Sequence, residues 1–172
     1  LRQFLYRSSD EYYEKVSQLE DLSLLIDRNY NFWRHTPTII PLRSRALSDR
    51  YGMRKDPFTK KKAFHGGLDF KAKRGTPVYA PADGIVRIAS RKYGFGLLVE
   101  LQHGRGFFPG KKKSVRYRTR FAHLSKIEVR RSQKIKRGDL IGLVGSTGRS
   151  TGPHLHYEII INGRRTNPLI TI

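Results

Sequence analysis

The sequence predicts a mainly β fold, an antiparallel sandwich or groove domain, preceded by a short N-terminal helical segment. Three observations carry this expectation. Beyond residue 42 the apolar residues fall into short runs bounded by Gly, Pro and Asp. Turn dipeptides stand between those runs. Ahead of them, a single stretch shows the three-and-four spacing of an amphipathic helix.

That stretch comes first in the chain. Tyr12, Val16, Leu19, Leu22 and Ile26 line one helical face, and Ser8-x-x-Glu11 has the form of a capping box. Together they predict a helix from about residue 9 to 28, packed on the main domain or ending a longer coiled stalk. Asn29–Pro41, with Pro37 and Pro41, reads as a connector. The expected division is therefore 1–40 for the helical segment and connector, and 41–172 for the β domain.

The strand candidates follow in order: Pro77–Ala80, Gly84–Ala89, Gly96–Leu101, Arg120–Leu124, Leu140–Val144 and Leu155–Ile161. Asp83-Gly84 and Asn162-Gly163 suit hairpins, and Gly138-Asp139 suits a tight turn. Residues 104–118 and 145–153 read as long loops. The first is basic and an exposed binding loop by composition. The second is rich in Gly, Ser and Thr but lacks the Gly-Lys-Ser/Thr ending of a phosphate-binding P-loop. No helix-length pattern follows residue 42.

Composition narrows the chemistry. With 37% hydrophobic residues in 172, the chain can bury a core. It has no apolar stretch of the ~20 residues needed to span a membrane, and no secretory signal is visible. It begins with Leu1 and not Met, which reads as a mature or trimmed form and leaves room for an export signal or membrane anchor upstream. There is no cysteine, so disulfides, thiolate nucleophiles and Cys-type zinc sites are excluded. Any metal must sit on His and carboxylates. The net charge is +21 and uneven: residues 1–35 carry 5 Lys and Arg against 6 Asp and Glu, the remainder 30 against 8. Such a field draws the domain toward a polyanion, whether nucleic acid, an acidic membrane surface or an anionic cell wall.

The histidines concentrate the chemistry. His154 and His156 are two apart at the head of a strand candidate, hence on one face and ~7 Å apart. One imidazole there can bind a metal while the other stands outside its coordination shell. His65 and Asp69 are four apart, ~13 Å on a straight strand, so Gly66-Gly67 must bend the chain if both are to reach one ion. Two His and one carboxylate suit zinc with a fourth position for water, although manganese and iron accept the same donors. A neutral histidine nearby, His154 or His123, can then move the water's proton to a leaving amine. His35, in the connector, and His103, at a strand end, read as structural.

The order of these blocks resembles the lysostaphin-type zinc metalloendopeptidases that act on peptidoglycan. The resemblance rests on Ser48–Arg54, Asp56-Pro57, Phe64–Asp69, Gly75–Gly84, Tyr117–Ser125 and Gly145–Glu158, and covers roughly residues 42–170. It implies a largely antiparallel β scaffold with its active site in a groove. It also implies one zinc ion on His65, Asp69 and His156, and catalytic histidines at His123 and His154. All five positions are filled, unlike in the inactive relatives that activate amidases. Two departures stand out: the His103–His123 segment is longer than usual, and Ser132 replaces a more typical turn glycine.

The implied activity is extracytoplasmic hydrolysis of peptide cross-links or stem peptides of peptidoglycan, with an anionic wall polymer as the target of the basic field. Two other classes remain on the sequence alone. A wall-binding regulator of another hydrolase would keep the metal and cut nothing. A nucleic-acid-binding domain would use the basic and aromatic residues of 107–118.

Overall fold

The computed structural model describes residues 2–43, 46–108 and 114–172, and of residues 2–11 and Arg28 the backbone alone. Helix α1 spans Arg2–His35, longer at both ends than the apolar spacing predicts. It starts ahead of Ser8, so Ser8 is not its N-cap; the side chains of Ser8 and Glu11 lie outside the described residues. Tyr12, Leu19, Leu22 and Ile26 are exposed, so the apolar stripe does not pack on the domain. Among the described side chains, those of the last turn dock. Phe32 and Trp33 rest against Phe107 with ring centroids 5.0 and 5.5 Å apart. Thr36 Oγ1 accepts from Phe107 N at 2.9 Å. Arg34 forms an ion pair with Asp83, whose other oxygen accepts from Arg137 N at 2.8 Å. These contacts carry the helix on to His35, into the first part of the stretch read as a connector; residues 36–41 are non-helical.

Among the described residues thirteen strands follow: β1 Leu47–Asp49, β2 Gly52–Lys55, β3 Lys62–His65, β4 Leu68–Lys71, β5 Pro77–Tyr79, β6 Gly84–Lys92, β7 Gly96–Gly106, β8 Val115–Leu124, β9 Lys126–Ile127, β10 Lys134–Ile135, β11 Leu140–Leu143, β12 His154–Ile161 and β13 Arg164–Thr166. All six strand candidates are present. The fold is mainly antiparallel β with one N-terminal helix. An eight-stranded sheet runs β1-β4-β12-β8-β7-β6-β10, with β13 pairing β12; β5-β11-β9 and β2-β3 form smaller sheets.

The turns divide in outcome. Asn162 and Gly163, at φ 49 and 87, close the β12–β13 hairpin as expected. Gly138, at φ 87, turns the chain from β10 to β11. Asp83-Gly84 does not close a hairpin, because β5 and β6 belong to different sheets; Asp83 is instead the buried anchor for Arg34 and Arg137. The basic loop is shorter than 104–118, since β7 and β8 run into it from both sides, and its residues 109–113 lie outside the described residues.

Strand periodicity separates packing from chemistry. On β12, Leu155, Tyr157 and Ile159 face the core with at most 1% exposure, while His154, His156 and Glu158 face the opposite side. On β8, Tyr117, Thr119 and Phe121 point inward, and Arg116, Arg118 and Arg120 alternate with them. The inward set meets Val78, Ile141 and Val144 in one core with Leu68, Phe70 and Leu101. Burying each large apolar side chain contributes about 1.5–3 kcal/mol, which fixes the register of the strands bearing the histidines.

Candidate metal centre and active-site groove

Strand β12 lies between β4 and β8, with His156 opposite Asp69 on one side and Ala122 on the other. Asp69 therefore reaches His156 directly, and its Oδ1 lies 2.8 Å from His156 Nδ1. His65 arrives from the end of β3, in a different sheet. The chain breaks at Gly66-Gly67, and His65 Nε2 comes to 3.2 Å from Asp69 Oδ1 and 3.1 Å from His156 Nδ1. The glycines do more than bend. Neither has a positive φ, but a Cβ on Gly67 would run into the Tyr157 carbonyl oxygen, and one on Gly66 into Arg165 and Glu158. At Gly67, where the clash is with backbone, only glycine allows this approach.

The three donor atoms fit a metal. Ligand atoms ~2.0–2.1 Å from a tetrahedral ion lie about 3.3 Å from one another, close to the spacing here. All three residues are buried. Burial alone would raise the Asp69 carboxyl, but hydrogen bonds from His156 and His65 hold it well below the usual carboxylate range. Burial likewise opposes charge on His156, yet the Asp69 and Glu158 carboxylates push it up to about 9. A site that gathers a proton so strongly also suits a cation. This His-Asp-His set can hold a metal ion.

Each imidazole is oriented by its other nitrogen. His65 Nδ1 donates to the Arg50 carbonyl at 2.8 Å, leaving Nε2 for the cluster. His156 Nε2 lies 3.3 Å from Glu158 Oε1. Glu158 is 1% exposed and paired with Arg120 and Arg165 at 3.2 and 3.5 Å. Burial works to raise the Glu158 carboxyl, but His156 and these arginines hold it down. Sequence reasoning assigned Glu158 no role, although one more step of the alternation from His154 and His156 reaches it.

His123 and His154 stand beside the cluster, ring centroids 4.8 Å apart. His123 has φ 60, a left-handed conformation that concentrates at functional sites. It lies where β8 shifts register against β7, between the Leu97–Leu124 and Val99–Phe121 pairs. Simple alternation from Ala122 would turn it inward; the bulge re-aims it, to 5.8 Å from the His156 ring centroid. Its Nδ1 donates to the Thr147 carbonyl at 2.8 Å, so Nε2 remains. Burial pushes His123 down to about 4, which keeps it neutral at pH 7. His154 Nδ1 donates to the Gly152 carbonyl at 2.8 Å, and its Nε2 lies 3.9 Å from Asp69 Oδ1.

The Gly/Ser/Thr loop is thus a brace for both imidazoles. Thr147 Oγ1 accepts from Leu97 N at 2.9 Å and donates to Leu124 O at 2.7 Å. His103 and His35 lie elsewhere. His103 is fully buried between the Asp83 carbonyl and Thr119 Oγ1, 2.8 and 2.7 Å away. His35 Nδ1 donates to the Asn31 carbonyl within α1 at 2.7 Å.

The cluster opens into a groove of about 710 Å³, with Phe58, Phe64 and Phe95 among its walls and Arg54, Lys71 and Arg149 on its rim. Among the described residues, none of α1 lines it.

Fold and cluster define a β-sheet domain built round a metal-type centre at an open groove. The model of peptidase family M23 matches residues 63–168, and the chain belongs to that family. Over 113 residues it is 47% identical to the peptidoglycan DD-endopeptidase ShyA of Vibrio cholerae, covering 66% of this chain and 24% of that protein. A zinc-containing peptidase from Vibrio cholerae has a similar crystal structure, with TM-score 0.63 at 35% identity, covering 74% of this chain and 37% of that one. The catalytic domain of the antimicrobial peptidase lysostaphin from Staphylococcus simulans aligns with TM-score 0.59 at 31% identity, covering 72% of this chain and 88% of that one. The chain spans about a quarter of the length of the curated relatives it matches.

Proposed function

We propose that this chain is a zinc-dependent endopeptidase that hydrolyses peptide cross-links or stem peptides of bacterial peptidoglycan, outside the cytoplasm. The carrying observation is the convergence of His65, Asp69 and His156 to within 3.2 Å of one another, beside two further imidazoles. The peptidase family and the relatives named for peptidoglycan and zinc support this reading. Residues 41–172 form the catalytic unit in it, and residues 1–40 an accessory segment. The net charge of +21 supports concentration on an anionic wall polymer.

His65, Asp69 and His156 would hold a zinc ion, which when bound would supply Lewis acidity toward the scissile carbonyl and toward water. The groove binds an extended peptide between its aromatic walls, and its rim of Arg and Lys receives stem-peptide carboxylates. His123, neutral at pH 7, accepts a proton at Nε2 and returns it to the leaving amine. His154 presents its Nε2 to the same space and shares that work. Phe95, 6.0 Å from the His156 ring centroid, keeps one wall dry.

The test is digestion of defined cross-linked peptidoglycan by the zinc-loaded protein, with fragments identified by mass spectrometry. Cleavage is expected, His154→Ala retains zinc and loses cleavage, and His65→Ala loses the metal. A fully zinc-loaded protein that leaves every peptide bond intact overturns the reading.

A further inference from the structure

The face of the large sheet that carries His156 continues beyond the groove. Glu158 pairs with Arg120 and Ile160 with Arg118 across the β12–β8 ladder, so Arg116, Arg118 and Arg120 share one side. Where this row leaves the groove, a second cleft of about 670 Å³ opens, lined by Arg87, Gln102, Arg105, Arg116 and Arg118, with Asn162 at its edge.

Two irregularities deliver arginines to it. Strand β6 shifts against β7 between Val86 and Ile88, and the bulged residue is Arg87. Strand β7 shifts against β8 between Gln102 and Arg105, at Gly104 with φ 71. From buried His103, strict alternation would turn Arg105 inward. The shift exposes it instead and sets it opposite Arg116. Like charges directly opposite each other cost stability.

Among the described residues, no carboxylate compensates that pair. Arg87, Arg118 and Arg120 all reach Glu100, at 3.4, 3.1 and 2.6 Å, so one buried carboxylate serves three guanidiniums. Arg105 Nη1 donates to Ser114 Oγ at 3.4 Å. Among the described residues, no carboxylate forms an ion pair with Arg105 or Arg116. The cleft therefore holds an excess of planar, forked donors. A single carboxylate would leave most of that charge unmatched, whereas phosphate brings up to two charges and several acceptor oxygens in the geometry guanidinium forks favour.

We propose that this cleft is a phosphate-binding subsite, taking a phosphate group displayed by a lipid headgroup or by a soluble phosphate ester. None of its residues belongs to the His-Asp-His cluster, and it stands whether or not the chain cleaves peptides.

Calorimetric titration with inorganic pyrophosphate tests it. Saturable binding is expected in the unmodified protein and equally in zinc-free His65→Ala, which removes the metal centre as a competing site. Affinity falls roughly tenfold or more in Arg105→Ala/Arg116→Ala, and Arg105→Lys/Arg116→Lys falls between. Without ligand, the double alanine variant melts at the same or a higher temperature, because a repulsive pair is gone. Sedimentation with phosphatidylglycerol vesicles, against phosphatidylcholine alone, separates the sources. Arginine-dependent capture assigns a lipid headgroup, and pyrophosphate binding without capture assigns a soluble ester. Absent or non-saturable binding overturns the proposal. So does binding unchanged in the double alanine variant, or lost in His65→Ala. A single-stranded oligonucleotide that displaces pyrophosphate with a strand preference also overturns it, and makes the cleft a nucleic-acid site.

Discussion

Glu158 Oε1 lies 3.3 Å from Nε2 of His156, two positions back on the same strand, and so faces the ring nitrogen that points away from the candidate metal. Such a partner fixes the ring orientation and raises its basicity. Losing one costs about 10–100-fold in metal affinity. Glu158→Ala is therefore expected to weaken zinc binding by that order while leaving the β-sheet circular dichroism intact. Competition with a chromophoric chelator measures the change; unaltered affinity would show that Glu158 serves only its arginines.

The cluster should release a proton on binding metal. His156 is pushed up to about 9, so at pH 7 the metal-free protein carries a proton that the ion must displace. Apparent zinc affinity is expected to rise about tenfold per pH unit through neutrality and to level off near pH 9. In the metal-free protein the sign for stability is opposite. The contribution of this raised group is full below the ordinary histidine value and lost as pH rises through about 9. Calorimetry in buffers of different ionisation enthalpy counts the released protons.

Gly67→Ala probes the approach that brings His65 to Asp69. The added Cβ meets the Tyr157 backbone oxygen on β12, which has no freedom to move aside. Overpacking of this kind costs about 1–3 kcal/mol, and the displaced strand end carries His65 with it. Urea unfolding is expected to show the loss in stability, and metal analysis a substoichiometric zinc content.

His103 makes stability sensitive to acid. Burial pushes it from 6.5 down to about 4, so between those values the unfolded chain binds a proton the folded chain refuses. Its contribution is complete above about pH 6.5 and disappears as pH falls toward 4, a loss on the order of 3 kcal/mol. Denaturant midpoints across this range record the slope. His103→Gln, which has nothing to titrate, is expected to flatten it.

Short apolar runs bounded by turn residues mark the central strands in the sequence, and the spacing of His65, Asp69, His154 and His156 marks the candidate site. Much of the rest was hidden for identifiable reasons. The aim of His123 depends on a bulge and a left-handed backbone, which no side-chain pattern encodes. Arg105 turns outward only because Gly104 breaks the alternation. Asp83-Gly84 has hairpin chemistry, but the chain there passes from one sheet to another, a tertiary choice. Strands β1 to β4 are short and carry site residues in place of an apolar run, so they read as motif and not as sheet. Helix α1 extends past its apolar stripe because its last turn is held by Phe107, Asp83 and Arg137, all distant in sequence.

Arg120 touches Glu100 at one end and Glu158 at the other, which makes it a shared hinge pin between the His-Asp-His cluster and the arginine row. A lesion at Glu100 would strip that partner from three guanidiniums at once, leaving Arg120 held by Glu158 alone, the carboxylate behind His156. Phenotypes from that position will therefore conflate two neighbourhoods, and only paired substitutions at Arg120 and Arg118 can tell them apart.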